Sequence, residues 1–230
     1  GAFAVAPCER ETYPELIADK LRSLGAEAVN PLGERHAGHV LHHRVRALLD
    51  VLDERTFASL RRALLHPALA DRLTGGAQPF HALNTLLDAL SQLKPPQALN
   101  RTVEFALSLP QPPESDRRGR HQWQQVEGLR APLAAILRQV EEFGTLAPRA
   151  LAARLLSLAI DPPVSGDPLA LEFAKEVADA LEETLRALCA HEHGVALSPT
   201  EWVRLALSIC GEKRFRQSLA AQPVNLPGWI

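Results

Sequence analysis

At 230 residues, with 46% hydrophobic and 23% charged side chains, the chain has the make-up of a folded protein with a sizeable core, not of a disordered one. A net charge of −2 removes the overall positive excess on which non-specific nucleic-acid binding rests, and no apolar run approaches the roughly 18 residues of a membrane span. The apolar residues are mainly Leu, Ala and Val, with aromatics at only 5%, so helices are favoured over sheets and an all-α fold is expected.

The three cysteines, Cys8, Cys189 and Cys210, are scattered and odd in number. They spell neither a disulfide framework nor a metal cluster, and point to a reducing, intracellular compartment, cytoplasmic or nuclear. The stretch 1–7 is short and has no basic lead-in, unlike a signal peptide.

Helix signals recur along the chain. Thr12-Tyr13-Pro14-Glu15 has capping-box spacing and leads into Leu16, Ile17, Leu21 and Leu24. Leu41, Val45, Leu48 and Leu52 then share one helical face over 39–52. Phe57, Leu60, Leu64 and Leu65 mark a helix over 54–66, and Leu69 and Leu73 a short segment beyond Pro67. Amphipathic helices follow over 79–93 and 96–109, parted by Pro95-Pro96.

Residues 110–120 carry no core-forming side chain and are dense in Pro and charge, which reads as a mobile linker between helical units 1–109 and 121–230. The two units are expected to pack as one. A helix over 123–143 contains Pro132, placed to kink or restart it. Helices over 147–159 and 168–190 come next, the second striped by Phe173, Val177, Leu181, Leu185 and Leu188. Ser198-Pro199-Thr200-Glu201 opens a helix over 199–210, and a last short helix holds Phe215 and Leu219. The tail 226–230 is apolar enough to dock on the body.

Consecutive antiparallel hairpins of this length resemble, in architecture, the HEAT and armadillo class of α-solenoid. Ser108, Ser157 and Ser208 sit in related words spaced by about fifty residues, and read as small residues for close helix packing. A compact irregular bundle satisfies the same packing rules and stands as the alternative.

No catalytic or cofactor motif is legible. His36, His39 and His43, at i, i+3 and i+7, would form an alternative metal-ligating set if the segment is helical, with a further ligand from elsewhere. The ordinary reading is a pH-sensitive basic face, in which Arg35, His39, His43, Arg44 and Arg46 meet a protein partner. His191-Glu192-His193-Gly194 reads as a helix C-terminus. The basic words 116–121 and 212–216 could serve a nucleic-acid strand, but overall charge weighs against it. Glu172, Glu176, Asp179, Glu182 and Glu183 make an acidic ridge. The functional expectation is a scaffold, adaptor or assembly subunit that binds a protein partner. The alternatives are a metal-binding or enzymatic protein using 36–43, and a nucleic-acid-binding helical repeat.

Overall fold

Short polar caps set where the helices begin. At Thr56 the hydroxyl accepts from the Ser59 amide at 3.0 Å while Ser59 Oγ accepts from the Thr56 amide at 3.3 Å. Ser198 and Glu201 repeat the exchange, with Glu201 Oε2 accepting from the Ser198 amide at 2.7 Å. Such reciprocal caps satisfy amides that the first turn leaves without partners. Asp116 caps another helix by accepting from the Gly119 amide at 2.8 Å.

The computed structural model describes residues 20, 34–74, 87–88, 91, 97–160, 168–190 and 196–215, apart from the side chains of 34, 122, 125, 126, 129 and 168–170. Strand β1 (Glu34–Arg35) and a 3₁₀ turn (His36–Gly38) precede α1 (Val40–Glu54), α2 (Phe57–Leu64) and α3 (Pro67–Thr74). Then come α4 (Leu99–Ser108), α5 (Arg117–Phe143), α6 (Pro148–Ala159), α7 (Pro168–Ala190), α8 (Pro199–Gly211) and β2 (Arg214–Phe215). The fold is all-α. No helix among the described residues is long and apolar enough to cross a membrane.

Helix α1 is the centre of the packing. It touches α2, α5, α6, α7 and α8, and its stripe of Leu41, Val45, Leu48, Leu49 and Leu52 is buried. Removing a side chain of this kind from water contributes about 1.5–3 kcal/mol, so one continuous core supplies the main driving force. The core also takes Leu151 and Leu155 of α6, Val177, Leu181 and Leu185 of α7, and Trp202, Val203 and Leu207 of α8. The exit from α1 needs a left-handed residue, and Arg55 takes φ 47° there. Its carbonyl accepts from the Leu99 amide at 2.8 Å, which ties the α1–α2 turn to the start of α4.

These contacts are not those of a linear repeat stack, in which each unit touches only its neighbours. Here α1 packs directly on α8, and β1 pairs antiparallel with β2 from the far end of the described chain, Arg35 opposite Arg214. Among the described residues the contacts do not follow solenoid order. Ser108 and Ser157 are exposed, their hydroxyls bonded to the Phe105 and Arg154 carbonyls of their own last turns, and Ser208 is exposed too. Their echo reflects polar helix endings, not close packing.

Two further expectations change. Helix α5 starts at Arg117, so residues 117–120 belong to it and not to a linker, and it runs through Pro132. Trp123 and Arg130 both donate to the Leu109 carbonyl, at 3.3 and 2.8 Å, which ties α5 to the end of α4. Phe215 is core, but it sits in a strand and not in the expected helix, and it stacks on Phe173 at 4.5 Å. Apart from Lys20, the expected helix over 12–25 lies outside the described residues, as do most of that over 79–93, the 191–194 motif, Leu219 and the tail.

Candidate functional site

The segment 36–46 is not one helix, and that decides what its histidines can do. His36 lies in the 3₁₀ turn and His39 is the extended cap of α1. Only His43 is on the helix proper. His36 is buried, with Nε2 3.1 Å from Glu176 Oε1. His39 Nδ1 accepts from the Leu41 amide at 3.2 Å, and its ring lies 4.4 Å from that of Phe173. His36 thus contacts α7 through Nε2, and His39 caps α1 through Nδ1. Among the described residues, no three His, Cys, Asp or Glu side chains are grouped to hold an ion.

The predicted basic face also divides. Arg35 stands 3.7 Å from Glu212, and His39 is a cap. Arg44 is buried and donates to the Ala159 carbonyl at 3.0 Å, where it meets the negative end of α6. Its guanidinium is a brace between helices, not a surface contact. His43 and Arg46 remain exposed, and the structure brings them together with residues the sequence did not single out.

That meeting place is an open groove of about 230 Å³ lined by His43, Arg46, Ala47 and Asp50 of α1, Arg62 of α2, and His66 just beyond α2. Packing of α2 on α1 creates it. No periodicity marks Arg62 or His66; their place depends on how the two helices meet. Asp50 accepts from Arg204 of α8 at 2.9 Å, and both Glu54 oxygens lie 2.7 Å from Arg62. Arg46 has no carboxylate partner among the described residues. His66 titrates below its ordinary range, first because it is partly desolvated and then because Arg44 and His43 repel its proton.

Behind the groove, His42 is buried and its Nε2–H donates to the Leu207 carbonyl at 3.1 Å. Burial lowers its pKa, the Leu207 contact opposes the shift, and His43, Arg46 and His36 reinforce it. Nδ1 is buried without a partner. Cys210 is also buried, and desolvation raises its thiol to about 11, well away from a nucleophile's range.

Three carboxylates of the acidic ridge have separate partners. Glu176 meets His36, Glu182 bonds Arg186 one turn on, and Glu183 bonds Lys213. On the basic words, Arg117 and Arg118 are exposed in the first turn of α5, and Lys213 is exposed beside β2. No protein-family model, curated protein or solved structure matches the chain.

Proposed function

We propose that the chain is a non-enzymatic interaction module, a scaffold or assembly subunit, that holds a protein partner in the groove between α1 and the end of α2. One observation carries the reading. Arg46 presents a charge with no carboxylate partner among the described residues, in a concavity whose other fixed charges are paired. Fixed cations in a solvent-open groove favour encounter with an anionic surface and set its orientation.

Size supports a macromolecular occupant. About 230 Å³ is below the usual ~300–1,000 Å³ of a small-molecule pocket, and the opening suits side chains of a longer segment. The neighbouring histidines support a binding role over chemistry. His36, His39 and His42 each hold a structural hydrogen bond.

The test is quantitative capture from the native lysate with wild type, Arg46→Glu, and Arg149→Glu on the exposed start of α6. A protein retained by wild type and Arg149→Glu but lost with Arg46→Glu supports the reading. Equal retention by all three overturns it.

A further inference from the structure

The proposed contact surface has a composition that also defines its partner's chemistry. Asp50 and Asp53 share Arg204 of α8, at 2.9 and 2.6 Å, and Glu54 holds Arg62. Arg44, beneath, is committed to the Ala159 carbonyl, while Arg72 of α3 donates to the Ser157 carbonyl. From α5, α6 and α7, no charged side chain lines the groove among the described residues. Arg46, His43 and His66 are therefore the groups whose charge the groove offers to a ligand.

Resting on the interaction-module reading, we infer that the groove takes an acidic peptide segment, and grips it more tightly as pH falls and His43 and His66 join Arg46 as cations. Histidine is the side chain whose ordinary charge change lies between about pH 8 and 5. Burial, Arg44 and His43 hold His66 below its ordinary value, so it gains its proton toward the acidic end, and the positive charge of the groove grows as pH falls. An anion placed among them lowers the mutual repulsion of Arg44, His43 and His66 that otherwise opposes protonation of His66. By linkage, a ligand that favours the protonated groove must bind better where protons are abundant.

The experiment uses a short fluorescent peptide of alternating aspartate and serine, because aspartates stay ionised through the histidine range. Its anisotropy is read against the full chain at about pH 7.5 and about pH 5.5, at one ionic strength. Wild type is expected to bind about fivefold tighter at the lower pH, the worth of an added exposed ion pair. His43→Gln/His66→Gln should keep the affinity of the higher pH and lose the increase. His43→Gln alone, at an exposed position, should reduce the increase and serves where the double variant loses helix content. Three results would overturn the inference: no peptide binding at the lower pH, an undiminished increase in the histidine variants, or tighter binding of an oligothymidylate of equal charge. The lysate capture stands apart from these. A partner lost with Arg46→Glu while the peptide shows no pH effect leaves the module reading intact and removes only the acidic-segment inference.

Discussion

His36 Nε2 lies 3.1 Å from Glu176 Oε1, joining positions 140 residues apart beside the β1–β2 pair. The imidazole is 1% exposed, whereas the Glu176 side chain is 46% exposed. The two ends of this contact should therefore differ sharply in worth. His36→Ala empties a buried site and is expected to cost about 2–3 kcal/mol in urea unfolding. Glu176→Gln leaves the ring packed against Phe173 and should cost less than about 1 kcal/mol. Equal losses would show that the contact with Glu176, not the packing, holds the two positions together.

A second prediction concerns two glycines near that contact. A Cβ at Gly211 would stand 3.0 Å from His42 Nε2 and 3.3 Å from Ala37 Cβ, so Gly211→Ala makes the imidazole give by a few tenths of an ångström and strains its bond to the Leu207 carbonyl. The expected loss is about 1–2 kcal/mol. A Cβ at Gly38 would meet nothing within 4 Å, and Gly38→Ala should be neutral or stabilise by up to about 1 kcal/mol. Thermal melts of the two variants check the contrast.

His42 gives stability a pH dependence whose sign follows from its surroundings. Its pKa in the folded protein lies below the ordinary 6.5, so between the two values the unfolded chain binds more protons. Stability from this group is full above about pH 6.5 and is lost as pH falls toward the folded value. Protonation would place a hydrogen on Nδ1, which is buried without a partner. His42→Gln keeps a donor for the Leu207 carbonyl and cannot titrate. Urea midpoints at about pH 7.5 and 5.5 should differ less in this variant than in wild type.

Arg44 offers a fourth test because it acts on two structures at once. Arg44→Met keeps most of the buried stem but removes the donor to Ala159, and should cost about 1–3 kcal/mol. It should also raise the pKa of His66 by removing a repelling cation, visible in an imidazole NMR titration. A His66 titration that moves down, or does not move, would contradict the assignment of Arg44 as its neighbour.

Side-chain periodicity made much of this architecture readable. Leu41, Val45, Leu48 and Leu52 repeat at helical spacing and are all buried on α1, as are Phe173, Val177, Leu181 and Leu185 on α7. The helix over 147–159 and the Ser198 capping box were legible for the same local reasons. What was not legible depends on long-range pairing. Two-residue strands are too short to show alternation, so Phe215 revealed its burial but not its conformation. Asp116 could be recognised as a cap only once the basic segment after it was known to be helical. Within the site, His43 and Arg46 were in view, while Arg62 and His66 needed the α1–α2 contact to bring them alongside. Arg44 looked like its charged neighbours in sequence, yet one helical step turns it into the core.

The central claim is that the groove around Arg46 is where a protein partner sits. A photoreactive residue introduced at position 65, exposed and next in the chain to His66 of the groove, tests this most directly with Arg46 left in place, compared with one at 149, about 15 Å along α6 from the Ala159 carbonyl that holds Arg44. Irradiation in native lysate is predicted to give a discrete protein adduct at 65 that is absent at 149 and is lost when Arg46→Glu is added. No adduct at 65, or the same adducts at both positions, would contradict the account.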